Sequence, residues 1–251
     1  MNGTTETGEA RWITSRDRSH SFTVHCIPEM FDLLAPLRSA VWGGRILDVG
    51  CGFGGLSKVI GEFLGASEIY GVDIDEEALD EARCKGVVAC KVDAYLDGLP
   101  FEDAFFDLAC SFGVFDYFPT WDRPLREIYR VLRPGGYVCM SLPNLGSWHN
   151  RLALLLGYQP RDVEVSTEVL AGVHPRYVRR GERPVGHIHT VTTKAFIELM
   201  SHHGFTTVSI HGMNGYTAID FPGWVRALER RLFSSPWLAR RFVYIGQRPK
   251  S

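Results

Sequence analysis

The sequence has little that would mark a membrane-spanning or secreted chain. None of its apolar runs approaches the roughly 18 residues needed to cross a membrane, and the longest candidate covers only residues 152–156. Its first ten residues are polar and lack the apolar centre of a signal peptide. We therefore expect a cytoplasmic protein without a membrane span.

Cysteine-based frameworks are missing as well. The chain has six cysteines but no Cys-x-x-Cys pair. Three of them, Cys90, Cys110 and Cys139, fall within predicted buried strands. Because disulfide and zinc frameworks use sets of suitably spaced cysteines, we expect neither, and a reducing cytosol is the simpler location.

An excess of charge of one sign is the third absence. The 27 Lys and Arg residues nearly balance the 29 Asp and Glu residues, which gives a formal net charge of -2. Because nucleic-acid-binding proteins usually carry a basic surplus, we do not expect a nucleic-acid partner. The chain of 251 residues, 45% of them hydrophobic, is long enough for one sizeable core with insertions.

What the sequence does contain is an alternation of strand and helix patterns. Strand-like runs separated by helical patterns occupy residues 45–49, 68–73, 87–92, 106–111 and 137–142. After an interruption, a helix at 193–203 is followed by strands at 205–211 and 241–246. This alternation predicts an α/β fold, in which a parallel sheet is covered by helices on both faces.

The same rhythm divides the chain into four parts. An N-terminal segment with a lid helix covers residues 1–37, and the core covers residues 38–145. Residues 146–190 have no clear period over most of their length, which predicts a lid insertion beside the substrate. Residues 191–251 return to the core and carry an aromatic insertion at 213–240, whose side chains fit the core or a dimer face.

The most informative stretch is the turn that follows the first predicted strand. The strand ends at Val49, a glycine-rich segment covers residues 50–55, and a helical pattern follows. This architecture is typical of a nucleotide-type site, because glycines allow positive φ and let backbone N–H groups approach a ligand closely. Asp48, two positions before the first glycine, favours a ligand with a positive amine over a pyrophosphate.

Two further carboxylates end the next two predicted strands. Asp73 ends the second strand and can bind both hydroxyls of a ribose. Asp93 ends the third strand, where it can accept an adenine amino group while the N–H of Ala94 meets a ring nitrogen. A helix cap or a turn is the alternative role of each aspartate. With Asp48, however, three successive strand ends carry one, at the edge where open α/β sheets bind ligands.

In combination with later motifs, these residues resemble the class I S-adenosylmethionine-dependent methyltransferases, in the small-molecule group that includes ubiquinone-type enzymes and is called methyltransferase type 11. The resemblance is carried by Leu47–Gly54, Gly71–Ile74, Val92–Ala94, Leu99–Phe101, Phe106–Leu108 and Leu125–Gly136. It covers about residues 40–145 and recurs at 193–210. It implies a Rossmann-like three-layer sandwich with a seven-stranded, mostly parallel sheet in the order 3-2-1-4-5-7-6, with strand 7 antiparallel.

The resemblance also implies S-adenosylmethionine as cofactor and S-adenosylhomocysteine as product. The implied cofactor contacts come from four strand ends: Asp48, Gly50, Gly52, Gly54, Asp73, Ile74, Asp93, Ala94, Ser111 and Phe112. Gly50 and Gly52 would contact the methionine part, with Asp48 near its amine, and Ile74 would pack on the adenine. Ser111 and Phe112 would face the methionine moiety and the transferring methyl group.

The implied reaction is in-line displacement of a methyl group from an activated sulfonium, so alignment is the main requirement. A general base is needed if the acceptor is a hydroxyl, an ammonium or a carbon acid. No metal is needed in principle. The sequence does not identify the acceptor, and oxygen, nitrogen, carbon and sulfur all remain open as its reacting atom.

Candidate residues for the acceptor lie beyond the fourth strand and in the insertion. The substrate candidates are Phe115, Asp116, Tyr117, His149 and Tyr177. His187, in the segment Gly186–Thr190, is the first candidate for a catalytic base, and His189 is the second. Either histidine could instead bond to the backbone of a crowded loop, and the His-x-His pair lacks a third metal ligand at a recognisable spacing.

The charges of the insertion leave a second question open. Its six arginines at positions 151, 161, 176, 179, 180 and 183 exceed its acidic residues by two. Solvated loop charge is the ordinary interpretation of such a surplus. An acidic or phosphate-bearing acceptor is the alternative, because arginine binds such groups in a bidentate manner.

Three other functions compete with small-molecule methylation. A nucleic-acid or protein methyltransferase is one, but an Asn/Asp-Pro-Pro-aromatic step does not follow strand 4, where the chain reads Ser111–Phe115. An NAD-dependent oxidoreductase is another, which the glycines alone cannot exclude but which Asp48 and Asp93 disfavour. A non-catalytic cofactor sensor or subunit is the third. The oligomer is expected to be a monomer or homodimer.

Overall fold

The computed structural model describes residues 11–20, 24, 26–175, 178, 181–213 and 234–250. Its centre is a sheet of seven strands: β1 Arg45–Val49, β2 Glu68–Asp73, β3 Val88–Lys91, β4 Phe106–Phe112, β5 Leu132–Pro143, β6 Thr206–Met213 and β7 Arg241–Gln247. The strand order is β3-β2-β1-β4-β5-β7-β6. β7 is antiparallel to β5 and β6, and the other pairs are parallel. The predicted Rossmann-like sheet is confirmed.

Eight α-helices are seen in the described part of the chain: α1 Ser15–His20, α2 Ile27–Leu34, α3 Arg38–Val41, α4 Gly55–Leu64, α5 Glu76–Cys84, α6 Asp122–Val131, α7 Trp148–Leu155 and α8 Thr193–His202. Short 3-10 turns occur at Ala35–Leu37 and Phe115–Tyr117. Residues 214–233 of the predicted aromatic insertion lie outside the described residues. No helix in the described segments is long and apolar enough to cross a membrane.

Two apolar clusters, one on each face of the sheet, hold the layers together. Successive strand residues point to opposite faces, so Ile46 joins the cluster with α2 and α4, whereas Leu47 joins the cluster with α6 and α8. The same alternation separates Leu108 from Ala109 in β4. Helices therefore cover both faces, as predicted, and the central strands are nearly continuous apolar runs.

Two element boundaries and the burial of one residue differ from the sequence-based expectation. The lid helix of the segment at 1–37 stops at Leu34 before the end of that segment, because Pro36 has no N–H to continue it and a 3-10 turn follows. β5 begins at Leu132, five residues before the expected start, and its Gly135 N–H donates to the carbonyl of Arg248 at 2.8 Å. Cys90 is only half-buried, because β3 is an edge strand.

Candidate cofactor and acceptor site

A cavity of about 640 Å³ opens at the carboxyl ends of β1, β2 and β4 and beside the turn after β3. This is the edge at which the sequence placed the site. Eight of the ten predicted cofactor residues line it: Asp48, Gly50, Gly52, Asp73, Ile74, Asp93, Ala94 and Phe112. The volume lies in the range usual for cofactor sites.

Asp48 is a buried carboxyl group at the cavity. Its residue is only 3% exposed, and Ser57 of α4 donates a hydrogen bond of 2.5 Å to Oδ2. Oδ1 is buried and has no hydrogen-bond partner within the described residues. Burial raises the pKa of Asp48 to about 7; the Ser57 bond opposes this, and the charge of Asp73 adds to it. A cation in the cavity would satisfy the orphaned oxygen.

The glycine turn is shaped by two different requirements. Gly50 and Gly52 have φ of 81° and 49°, in the left-handed region. A Cβ on Gly50 would lie 2.7 Å from Cβ of Val114, so that glycine is needed for the loop after β4 to approach. A Cβ on Gly52 would meet nothing within 4 Å, so its open side is available to a ligand.

Gly54 has a packing role instead of a place in the cavity. Its φ is 74°, and a Cβ there would lie 2.7 Å from Cβ of Ala82 in α5. Gly54 therefore allows α4 and α5 to pack closely, and it does not line the cavity. Its predicted contact with the cofactor stays a prediction.

Asp73 is fixed by backbone donors on both carboxylate oxygens. The N–H of Gly52 donates to Oδ2 at 2.8 Å, and the N–H groups of Ile74 and Asp75 donate to Oδ1 at 2.8 and 3.1 Å. Oδ2 keeps a further lone pair for one ribose hydroxyl, and a second hydroxyl would share Oδ1 with these N–H groups. Ile74 follows with an exposure of 64%, as an apolar surface on which a flat ring can pack.

Asp93 closes a turn and also lines the cavity. Oδ1 accepts from the N–H groups of Tyr95 at 2.9 Å and Leu96 at 3.0 Å, so it closes a turn. Asp93 also lines the cavity, which leaves Oδ2 as the oxygen suited to an amino group. Ala94 is buried beside it and lines the cavity as well.

Ser111 connects strands and does not reach the cavity. Its hydroxyl donates to the carbonyl of Val49 at 3.0 Å, and the residue is buried between β4 and β1. The next residue, Phe112, does line the cavity. A role of Ser111 at the methionine moiety stays a prediction, because its hydroxyl already has this partner.

The structure brings the loop after β4 together with the end of the insertion. The N–H groups of Ile188 and His189 donate to the carbonyl of Asp116 at 2.7 and 3.2 Å. The ring of His187 lies 5.2 Å from that of Tyr117, which lines the cavity. A ring nitrogen of His189 lies 2.6 Å from the carbonyl oxygen of Pro119. The two candidate histidines therefore pack beside residues that line the cavity, and neither lines it itself.

Asp116 and His187 are the polar groups of this region, and neither lines the cavity. Asp116 is 1% exposed, and neither its Oδ1 nor Nδ1 of His187 has a hydrogen-bond partner within the described residues. Burial raises the pKa of Asp116 to about 7, against the opposing charge of Arg241. Burial also lowers the pKa of His187, although Asp162 and Glu164 oppose that effect. Both groups can therefore accept a proton near neutral pH.

The remaining acceptor candidates are placed elsewhere. Phe115 is fully buried and packs edge-on against Trp121, so it belongs to the core. His149 lies in α7 and does not line the cavity. Burial, with smaller effects of Arg240 and Arg161, lowers its pKa to about 3. Tyr177 lies outside the described residues.

Arg241 is a site residue that the sequence analysis missed. β7 is antiparallel, so its first residue lies at the carboxyl edge of β5, where Pro143 pairs with Arg241. The guanidinium donates to the carbonyl of Ser141 at 3.3 Å and faces Asp116 electrostatically. An arginine that begins a strand predicted to be antiparallel was the available signal.

The N-terminal segment contributes two further residues that were not predicted. Asp17 of α1 and Val24 both line the cavity beside the glycine turn. The sequence pattern predicts a lid helix in this segment, and nothing in that pattern distinguishes Asp17 from its charged neighbours. Across the described segments, no group of three or more His, Cys, Asp or Glu residues could hold a metal ion.

Comparison with known proteins agrees with the geometry. Residues 47–140 match the model of a family described as "Methyltransferase domain". A probable phthiotriol/phenolphthiotriol dimycocerosates methyltransferase 2 of Mycobacterium ulcerans is 29% identical over 58% of this chain and 59% of its own length. The malonyl-[acyl-carrier protein] O-methyltransferase of Erwinia billingiae is 32% identical over 48% of this chain and 46% of its own length. The chain thus spans about half the length of these relatives.

Solved structures share the fold at low identity. A methyltransferase from Thermotoga maritima superposes with a TM-score of 0.57 at 19% identity, covering 92% of both chains. The [4+2]-cyclase SpnF superposes with the same TM-score at 20% identity, covering 89% of this chain and 82% of that one. Because one of these two neighbours is named a cyclase, the shared fold alone does not show methyl transfer.

Proposed function

We propose that this protein, in which residues 47–140 form a class I S-adenosylmethionine-dependent methyltransferase domain, transfers a methyl group from S-adenosylmethionine to a small molecule. S-adenosylhomocysteine is the second product. The observation that carries the proposal is the set of Asp48, Asp73 and Asp93 at three neighbouring strand ends around one cavity. Each carboxylate matches a different part of this cofactor.

The residues present fit the cofactor. The orphaned Oδ1 of Asp48 suits the ammonium of the methionine part, which would also keep this buried carboxylate ionised. Asp73 would hold the ribose hydroxyls, and Asp93 the adenine amino group. The open side of Gly52 admits the methionine backbone. When bound, the cofactor supplies an activated methyl group.

We assign the acceptor to the wall formed by Tyr117, Asp116 and His187. Holding an acceptor in line with the methyl group can lower the barrier by up to ~7–11 kcal/mol. His187 is the proposed base, because its buried Nδ1 has no partner among the described atoms and its lowered pKa keeps it neutral. Asp116 is a second group able to take the acceptor proton, and His189 orients the loop through Pro119.

The acceptor that fits this wall has an apolar body and a reacting oxygen. Val185 and Ile188, on either side of His187, are 59% and 51% exposed, and Tyr117 is 41% exposed. Contiguous exposed apolar side chains can mark a ligand or partner site. One relative is named an O-methyltransferase, and the phthiotriol relatives are named for their dimycocerosate acceptors.

A transfer assay tests the proposal. The protein would be incubated with S-adenosylmethionine labelled in the methyl group and with pools of hydroxyl- and carboxyl-bearing metabolites. We expect label in one acceptor and a matching amount of S-adenosylhomocysteine, both lost in the Asp73→Ala variant. Tight cofactor binding without transfer to any pool would favour a cofactor sensor instead. A cytoplasmic location and a monomer or homodimer remain part of the proposal.

A further inference from the structure

Asp17 lies 30 residues before the matched methyltransferase domain, yet its carboxylate is buried in the glycine turn. We propose that Asp17 and Lys85 form a clamp through which the N-terminal segment positions the glycine turn for the cofactor. Asp17 is then a positioning residue of the cofactor site. The inference rests on the proposed cofactor site, which supplies the reason for the turn to be held in place.

The clamp forms hydrogen bonds with the backbone of the turn at two points. Oδ1 of Asp17 accepts from the N–H of Gly55 at 2.9 Å, and Oδ2 accepts from Nζ of Lys85 at 2.9 Å. The same Nζ donates to the carbonyl of Phe53 at 2.8 Å. One ion pair therefore fixes a backbone acceptor and a backbone donor on either side of Gly54.

The physical reason for a distant residue lies in the start of α4. A helix needs acceptors for its first N–H groups, and a Ser, Thr, Asp or Asn at the N-cap normally supplies one. The N-cap here is Gly54, which has no side chain and no room for one against Ala82. Asp17 supplies the missing acceptor from outside the helix, and its negative charge also suits the positive helix end.

The Asp17 carboxylate occupies the space that a side chain on Gly55 would fill. A Cβ on Gly55 would overlap both oxygens of Asp17, although Gly55 has an ordinary helical position and needs no positive φ. The second glycine of the pair is thus explained by the clamp and not by the cofactor. The glycine pair Gly54–Gly55 therefore contains one glycine, Gly55, that the ligand does not require.

The charge of Asp17 is determined by the groups around it. Burial opposes ionisation of Asp17, but hydrogen bonds from Lys85 and Thr14 outweigh it and hold the pKa of Asp17 below its usual value. Lys85 has a second carboxylate partner in Glu81 at 2.9 Å. Breaking a buried ion pair by removing one partner costs more than removing an exposed pair, so the clamp is a specific target for mutation.

Three variants test the clamp by calorimetry with S-adenosylhomocysteine. Asp17→Ala removes both contacts, and we expect its Kd to rise about tenfold, as loss of charged hydrogen bonds implies. Asp17→Asn keeps an acceptor for Gly55 and should show a smaller rise. Arg11→Gln is the control, because Arg11 lies in the same segment but bonds to exposed Glu62, and its Kd should match wild type.

Binding of adenosine distinguishes a misplaced glycine turn from general damage to the cofactor site. It lacks the methionine part, so its Kd should change less than twofold in Asp17→Ala. A change in the S-adenosylhomocysteine Kd of less than twofold would overturn the clamp, and so would equal weakening of adenosine. Circular dichroism would confirm that each variant is folded, and Asp17→Asn decides the result should the alanine variant unfold.

Hydrogen exchange in the ligand-free protein is an independent test of the clamp. We expect the amide of Gly55 to exchange at least tenfold faster in Asp17→Ala, while amides of β4 keep their protection. Unchanged protection of Gly55 would refute the clamp even if no ligand binds. If wild-type protein fails to bind S-adenosylhomocysteine, the proposed function fails, and the exchange result still decides whether the clamp holds the turn.

Discussion

Binding of S-adenosylmethionine should release a proton from Asp48. In the ligand-free protein, burial raises the pKa of this carboxyl to about 7, so at pH 6 it is about 90% protonated. The ammonium of the cofactor would lie against Oδ1 and favour the charged form. The bound carboxylate should then be ionised at pH 6, and about 0.9 proton should leave the protein for each cofactor bound.

The assay is calorimetry at pH 6 in several buffers with different ionisation enthalpies. The slope of the observed enthalpy against the buffer enthalpy gives the number of protons exchanged on binding. At this pH the amine of the ligand is already protonated, so the release is expected to come from the protein. Adenosine, which lacks the ammonium of the methionine part, should give a slope near zero.

Matched variants assign the proton. Asp48→Asn keeps the shape of the side chain but cannot ionise, so its slope should fall to zero and its affinity should drop. Asp116→Asn removes the other buried carboxyl with a pKa of about 7 and should leave the slope unchanged. A wild-type slope near zero, or release that persists in Asp48→Asn, would refute the assignment of Asp48 to the ammonium.

Four further outcomes follow from the same site. Asp73→Ala should weaken S-adenosylmethionine binding by roughly 1.5–3 kcal/mol, measured by calorimetry, and unchanged affinity would exclude the ribose contact. His187→Ala should lower kcat at least ~10²-fold with the true acceptor while cofactor Kd stays constant; an unchanged kcat would remove it as the base. Gly54→Ala should destabilise the fold by about 1–3 kcal/mol in urea, because its Cβ would lie 2.7 Å from Ala82 and φ is positive, whereas a neutral effect would contradict that packing. Gly52→Ala has open space around its Cβ but a φ of 49°, so it should cost about 1–2 kcal/mol of stability, still fold and lose cofactor affinity, and full affinity would place the ligand elsewhere.

The ligand-free protein should also become more stable when Asp48 cannot ionise. A raised carboxyl pKa means that the folded state holds a proton which the unfolded state releases, so this group lowers stability as pH rises from about 4 to about 7. Above that range both states are ionised and the penalty is complete. Asp48→Asn should therefore raise the free energy of unfolding at pH 8 by up to about 4 kcal/mol and leave it nearly unchanged at pH 3. Equal effects at the two pH values, measured in urea, would contradict this sign.

The place of the three carboxylates around one cavity was predictable because they lie next to strand ends in the sequence. Asp48, Asp73 and Asp93 follow apolar runs directly, and parallel strands bring their carboxyl ends to one edge. The sheet order came from the resemblance, and the structure confirms it. Local pattern and topology were sufficient here because each strand brings its own carboxylate to the cavity.

The contacts that close the site depend on distant residues and were not predictable in this way. Asp17 bonds to Gly55 across 38 positions, and Arg241 reaches the carbonyl of Ser141 across 100. Neither residue follows a strand end, and both are charged residues in sequences with other charges nearby. Their roles depend on burial beside the turn and on the antiparallel direction of β7, which only the folded chain reveals.

The most direct test of the cofactor site is a crystal structure of the protein with S-adenosylhomocysteine. We predict that the ligand amine lies within hydrogen-bond distance of Oδ1 of Asp48, that both ribose hydroxyls bond to Asp73, and that the sulfur faces the wall of Tyr117 and His187. A ligand bound outside this cavity, or one whose ribose lies away from Asp73, would contradict the account.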